Sequence, residues 1–241
     1  MNAIKNWIPN SITLGNLLCG MLACWFAASL IPALLLSPDS TDHSWSMVLP
    51  SLLIFGAAIL DFIDGFVARM LKVNSELGKQ LDSLADVVSF GVAPSFIIVG
   101  YNLLGDYSFF GFFLGIFACV RLAKFNIDTR QSDSFLGLPV PSMGMVIAAL
   151  PFVNKSGPLA FLLNPVVIAF LIVILCGLMV SELPLLALKF KTFGLRDNVY
   201  RYLVLGIGIV SLLVFGFQGL PLVIFGYVLV SAVSRWIPVK K

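Results

Sequence analysis

Four aspartates crowd one stretch of this chain, DFIDGFVARMLKVNSELGKQLDSLAD, which runs from Asp61 to Asp86. Asp61 and Asp64 are three residues apart and share a face if the segment is helical; Asp82 and Asp86 are four apart and share another. The residues between the pairs can turn the chain back, so two helix ends can present two carboxylate pairs to each other. Four carboxylates so close repel strongly, and one or two divalent cations are the simplest way to neutralise them. An all-oxygen ligand set selects a hard cation such as Mg²⁺, Mn²⁺ or Ca²⁺. Gly65 follows Asp64, and Gly78 lies four residues before Asp82. Glycine costs about 1 kcal/mol in a helix relative to alanine, so two of them beside the acids point to a ligand that approaches the backbone closely. Ala68 is small and lies on the face of Asp64, and Arg69 offers a planar fork for phosphate. Together these residues suit a divalent metal with a pyrophosphate ligand, and attack on phosphorus.

The elements that hold this stretch are membrane helices. The chain has 241 residues, of which 59% are hydrophobic and 11% charged, and its mean hydropathy is +1.02. A soluble domain has about 45–50% apolar and about 25% charged residues, so an integral membrane protein is expected. The apolar segments are long enough for helices across a ~30 Å hydrocarbon core, and they lack the alternation of a membrane β-barrel. Carboxylates are costly in hydrocarbon, so a cluster of them at the ends of such segments marks a functional site. Trp7 reads as an interfacial anchor. The first apolar segment is too long for a signal-peptide core and reads as a span.

Eight spans are expected, at roughly 12–36, 45–69, 81–103, 108–125, 142–153, 159–182, 201–217 and 220–236. The connection 70–80 reads as basic, and 126–141 as polar and then Gly/Pro-rich. With eight spans both termini share one side. Fourteen of the fifteen Lys and Arg residues then fall on that side, and only Lys155 on the other. By the positive-inside rule both termini and the Asp61–Asp86 link are expected in the cytoplasm. The fold expected is therefore an all-α, polytopic membrane bundle of about eight transmembrane helices. It forms one integral membrane domain over 1–241, with core spans within about 12–182 and two further spans within about 201–236.

Other residues with reactive chemistry carry less. Cys19, Cys24, Cys119 and Cys176 lie in apolar segments without metal-ligand spacing and read as small buried hydrophobes. His43, the only histidine, lies in a polar loop, which argues against a His-based metal site or triad. Thr13 and Asn16, three apart near the start of the first span, can contact phosphates or hydrogen-bond between helices. Gly111 and Gly115 allow close helix packing, against a neighbouring span or a partner subunit.

The stretch Asp61–Asp86 resembles the signature of the CDP-alcohol phosphotransferase family, D-x2-D-G-x2-A-R-x8-G-x3-D-x3-D. Asp61, Asp64, Gly65, Ala68, Arg69, Gly78, Asp82 and Asp86 meet every spacing. More of the chain is similar to one branch, the membrane-embedded phosphatidylserine synthases. IPNSITLGNLLCG resembles that branch's approach to its first span. RLAKFNIDTR, beginning at Arg121, resembles its RLARFN-type segment, with Val120 where a small residue is usual. QSDSFLGLPVPS and SELPLLALKFKTFG are also similar.

The resemblance implies transfer of a phosphatidyl group from CDP-diacylglycerol to L-serine, with release of CMP. It implies divalent metal, Mg²⁺ or Mn²⁺ and two ions, on Asp61, Asp64, Asp82 and Asp86. Asp86 is then the general base that takes the serine hydroxyl proton. Gly65, Ala68 and Gly78 would lie against cytidine and ribose, and Arg69 near the phosphates. A homodimer in a prokaryotic-type cell membrane is implied, with the active site at the cytoplasmic face, membrane lipid as environment and no nucleic acid. For the acceptor, Arg121 with Asn126, Arg130 and Gln131 are the candidates to hold the serine carboxylate. Arg121, Lys124 and Arg130 also read as plain topology residues. Glu182 can pair with a cation or with the serine ammonium. Two rivals stand beside this reading. One is a family transferase using glycerol phosphate, inositol phosphate or an archaeal lipid, although the loop 126–141 offers little basic charge for a second phosphate. The other is an ion-coupled transporter, which also keeps acids in its spans; here the acids gather at one edge.

Overall fold

The computed structural model describes residues 2–36, 44–73, 75–128, 135–186, 194 and 198–236. Among these, five stretches are long and apolar enough to cross a membrane: Trp7–Leu30, Met47–Leu71, Glu76–Gly100, Gly105–Ile127 and Val199–Ser234. Two shorter apolar stretches, Val140–Phe152 and Pro165–Val180, are also helical. The chain is a helical membrane protein.

Helices α1 (Asn2–Leu36) and α2 (Ser44–Leu71) pack against each other. Then α3 (Glu76–Asp86) continues through a π-helical turn, Val87–Val92, into α4 (Ala93–Gly100). This composite helix is the centre of the bundle: 61% of its span is buried, against 17–33% for the other four. Small residues let α1 close on it. A Cβ on Gly20 would stand 2.4 Å from Ser89 Oγ, and one on Gly100 would stand 2.2 Å from the Ala27 carbonyl. Helix α5 (Phe112–Ile127), which follows a 3₁₀ turn at Gly105–Gly111, packs on the other side. Gly111 and Gly115 both face α4, at Ile98 and Ser95, so these glycines serve the neighbouring span.

Helix α6 (Val140–Ala149) is short and buried on nearly every side, with Val140, Met143, Val146 and Ile147 all fully enclosed. A helix that is apolar all round belongs in the interior. Helix α7 (Pro165–Val180) is capped by Asn164, whose Oδ1 accepts from Val166 N at 2.9 Å. A two-residue ladder joins β1 (Phe135–Leu136) to β2 (Pro184–Leu185), too short to leave a pattern in the sequence.

The stretch Val199–Ser234 is two helices, α8 (Val199–Phe215) and α9 (Leu220–Trp236). The break is Gly216, at φ +58, a conformation that favours glycine. The two pack antiparallel, with Gly226 against Ile207 and Gly208 against Val223. Their turn docks on the core through Phe217, whose ring lies 5.1 Å from those of Phe55 and Phe152.

One boundary differs from expectation at the site. The link between the second and third spans is only 72–75, because α2 runs to Leu71 and α3 begins at Glu76. The start is set by Ser75, an N-cap whose Oγ accepts from Gly78 N at 3.0 Å.

Candidate active site

The last three turns of α2 carry Asp61, Asp64, Gly65, Ala68 and Arg69. The helix closes with Lys72 in the left-handed region at φ +53, while Val73 N donates to Ala68 O at 3.0 Å. This is a Schellman-type end with a non-glycine residue at its turning point. It sends the chain back at once into α3, which carries Gly78, Asp82 and Asp86 on its own successive turns.

The reversal brings carboxylate oxygens of Asp61, Asp64 and Asp82 within 4.8 Å of one another. Ligand oxygens held at ~2.1–2.5 Å from one hard cation stand up to about 4–5 Å apart across it, so these three fit a divalent metal. Asp86, one turn beyond Asp82, is only 7% exposed and interacts with Asp61. The π-helical turn begins immediately after it, and such turns occur frequently at functional sites.

Helix α1 supplies the partners of the acids. Thr13 Oγ1 donates to Asp64 Oδ2 at 2.6 Å, and Asn16 Nδ2 reaches Asp86 Oδ1 at 3.5 Å. Of the two uses open to these residues, hydrogen bonding between helices is the one the structure displays. Thr13 also lines the cleft described next, while Asn16 is fully buried. Ser89 Oγ donates to the Asn16 carbonyl at 3.0 Å, which fixes that turn of α1 to the central helix.

A cleft of about 670 Å³, open to solvent, lies between α1, α2 and α3. Asp64, Gly65 and Ala68 line it from α2, and Gly78, Lys79 and Asp82 from α3. The two glycines do different work. A Cβ on Gly65 would meet nothing closer than Arg69 Nη1 at 3.6 Å, so the space beside it is open. A Cβ on Gly78 would stand 2.9 Å from both Asn10 Oδ1 and Ser75 Oγ, so those side chains would have to shift to admit one. Arg69 is exposed beside Gly65 and is not part of the cleft wall. Pro9, Asn10, Ser75 and Lys79 join the wall, and little in their spacing along the sequence marks them. The N-cap pattern at Ser75, just before a mixed polar and apolar helix, was the one available signal.

On the far side of Asp86, Arg121 of α5 is 7% exposed and within electrostatic range of that carboxylate. Its guanidinium lies over the Phe125 ring, 4.8 Å from the centroid. Asn126 Nδ2 donates to Ser83 Oγ at 2.9 Å and ties the end of α5 to α3. Arg130 and Gln131 lie outside the described residues. Arg121 also lines a second pocket, with Lys124, Asp128 and Glu182.

The fold and site define a helical membrane protein with a carboxylate cluster suited to a divalent metal, beside a cleft at the ends of its helices. The family described as CDP-alcohol phosphatidyltransferase matches residues 6–188, and the chain belongs to that family. It is 37% identical over 182 residues to the CDP-diacylglycerol–serine O-phosphatidyltransferase of Bacillus subtilis (strain 168), covering 74% of this chain and 89% of that protein. It is 32% identical over 236 residues to the enzyme of the same name from Helicobacter pylori (strain J99), covering 95% and 90%. An archaetidylserine synthase of Methanothermobacter thermautotrophicus is 32% identical over 134 residues, 53% of each chain.

Proposed function

We propose that this protein transfers the phosphatidyl group of CDP-diacylglycerol to the hydroxyl of L-serine, giving phosphatidylserine and CMP. The observation that carries the reading is the convergence of Asp61, Asp64 and Asp82 at the cleft lined by Gly65, Ala68 and Gly78. Relatives named for this reaction match most of the chain.

In the proposed reaction the serine Oγ attacks the phosphorus that bears diacylglycerol. The bond from that phosphorus to the CMP oxygen breaks, and CMP leaves. Asp86 takes the hydroxyl proton, and Asn16 holds its carboxylate in place. Thr13 orients Asp64. The open space at Gly65 and Ala68 admits cytidine and ribose, and Arg69 contacts the phosphates from the rim. Arg121 receives the serine carboxylate, with Asn126 near it in sequence and Arg130 and Gln131 as further candidates. Asp61, Asp64 and Asp82, with Asp86, hold Mg²⁺ or Mn²⁺, two ions in all, which when bound offset charge on the pyrophosphate.

Eight crossings follow if α6 and α7 each cross and α8 and α9 cross separately. Both termini and the active site are then cytoplasmic, where fourteen of the fifteen basic residues fall. A homodimer is proposed from the resemblance. The test is CMP release from CDP-diacylglycerol by the purified protein with single acceptors, with Mg²⁺ or Mn²⁺ and with chelator. Serine-dependent, metal-dependent release is expected. Release only with glycerol or inositol phosphate, or ion uptake into proteoliposomes without CMP release, would overturn the reading.

A further inference from the structure

Helices α8 and α9 lie beyond residues 6–188, the part of the chain that the family matches. The carboxylate cluster and the cleft beside it draw no side chain from them. They are nevertheless fastened to the bundle at two ends. At one end their turn stacks Phe217 on Phe55 and Phe152, and Gln218 Oε1 accepts from Asn154 N at 3.4 Å. Between the ends, α9 lies against α6 and buries Ile224 and Val228 in the common core.

The other end is polar and grips a single residue. The described ladder ends at Leu185, and the next residue, Leu186, pairs its backbone with side chains instead. Leu186 N donates to Ser231 Oγ at 3.2 Å, and Tyr227 Oη donates to Leu186 O at 3.0 Å. Ser231 Oγ in turn donates to Tyr227 O at 2.7 Å, and Ser231 is buried. Residues 227 and 231 are four apart on α9 and so share a face. Non-helical backbone inside a membrane bundle needs partners within the protein, and this pair of side chains supplies both partners of Leu186.

Chain continuity carries the grip further. On β2, Leu185 pairs with Phe135 and Pro184 with Leu136 of β1. Gly137, at φ +70, follows β1 and packs on the last turn of α7: its Cβ position lies 2.7–3.0 Å from the carbonyls of Ser181, Met179 and Leu178. Gly137 N donates to Leu183 O at 2.8 Å, and Leu138 N donates to Leu178 O at 2.9 Å. The segment after α7 is therefore held by β1 on one side and by α9 on the other. Leu136, Ser181 and Glu182, which this arrangement fixes, line the second pocket together with Arg121.

We propose that Tyr227 and Ser231 are positioning residues for acceptor binding: the α8–α9 hairpin braces the β1–β2 ladder, and through it the wall that faces Arg121. The inference rests on the serine-transfer reading with Arg121 as the acceptor contact. It gives a role in that reaction to two helices outside the residues the family matches.

The test compares the full-length wild-type protein with Y227F, S231A, Y227F/S231A and, at the hairpin's other anchor, F217L. Phenylalanine keeps the tyrosine ring, and alanine removes only the serine hydroxyl. Loss of two neutral hydrogen bonds is expected to speed hydrogen exchange of the amides within 178–186 by about 5-fold or more in the double variant, while α2 and α3 exchange as in the wild type. In CMP-release assays the serine KM of the double variant is expected to rise by about 5-fold or more, with the KM for CDP-diacylglycerol within about 2-fold of wild type. F217L is expected to lower the melting temperature yet keep the serine KM within about 2-fold, since distant sites act independently. Unchanged exchange in the double variant overturns the brace. Faster exchange with an unchanged serine KM overturns its role in acceptor binding. An equal rise in both KM values, or a serine KM in F217L as high as in the double variant, overturns it too, because loss of stability alone would give either. A thermal shift induced by CDP-diacylglycerol shows that each variant is folded, and if the double variant lacks that shift the single variants decide by the same criteria. Wild-type protein that releases no CMP with serine fails the serine-transfer reading instead, and the exchange comparison still decides the brace.

Discussion

Thr13→Val is the cleanest probe of how α1 supports the aspartates. Valine keeps the β-branched shape and removes only the hydroxyl, so the packing of α1 on α2 is retained. What is lost is a short bond, 2.6 Å from Thr13 Oγ1 to Asp64 Oδ2, with both residues about 95% buried, and a longer contact of 3.1 Å to the Pro9 carbonyl within α1. A hydrogen bond to a charged group contributes about 1.5–3 kcal/mol. At about 1.4 kcal/mol per decade, that is roughly 10- to 150-fold. The loss falls on the carboxylate's orientation, and partners of this kind typically change metal affinity about 10- to 100-fold. The concentration of Mg²⁺ or Mn²⁺ giving half-maximal CMP release is therefore expected to rise about 10-fold or more, with most of kcat recovered at saturating metal. The metal-induced rise in melting temperature should move to higher concentration in parallel, and Thr13→Ser should restore both. A half-activating concentration within about 2-fold of wild type would refute the reasoning. So would a kcat loss that metal does not rescue, since that would make Thr13 a substrate contact.

The remaining predictions use the same geometry. Gly65→Ala should fold with unchanged or slightly raised stability, because its Cβ meets only open cleft and alanine is favoured in helices by about 1 kcal/mol; its KM for CDP-diacylglycerol should rise, which steady-state kinetics would show. Gly78→Ala should instead lower the melting temperature, since its Cβ collides with Asn10 and Ser75. Asp86→Asn should abolish turnover while CDP-diacylglycerol still shifts the melting temperature; an active variant would disprove its role as base. Gly137→Ala should destabilise the fold by about 2–4 kcal/mol, from a left-handed φ together with crowding against three carbonyls, read by thermal or denaturant unfolding in detergent.

The parts of the site legible in the sequence are those set by spacing along one helix. Asp61 with Asp64, and Asp82 with Asp86, are neighbours because of the helical repeat, and the short link between the helices brings the pairs together. The apolar lengths likewise locate α1, α2, α5, α8 and α9. What spacing cannot express is contact between distant segments. Thr13 and Asp64 are 51 residues apart, Asn16 and Asp86 70, and only the α1 crossing at Gly20 and Gly100 makes them neighbours. The dual use of Gly78 was hidden for the same reason: the atoms that crowd it belong partly to Asn10, on another helix. The start of α3 was misplaced because hydropathy follows burial in lipid, whereas the helix begins at a polar cap. Glu182 is brought opposite α5 by a two-residue ladder and one glycine, neither of which has a recognisable period.

The placement of the two pockets bears on how the proposed reaction can proceed. They share no lining residue: one is walled by α1, α2 and α3, the other by the ends of α5 and α7 with β1. Asp86 lines neither pocket; it interacts with Asp61 of α2 and Asn16 of α1, and lies within electrostatic range of Arg121 of α5, a wall residue of the second pocket. Displacement at phosphorus runs best with the attacking and leaving oxygens roughly in line. On the proposed reading, a nucleotide held in the first pocket and an acceptor held at Arg121 would reach the phosphorus from different helices, with Asp86, the proposed base, near Arg121. Asp86 sits on the most buried span of the bundle, where packing limits its movement. The first pocket is built from the motif stretch together with α1, whereas the second depends on contacts remote from it. With Arg121 as the proposed acceptor contact, a change of acceptor calls for substitutions around the end of α5 and leaves the carboxylate cluster on α2 and α3 intact.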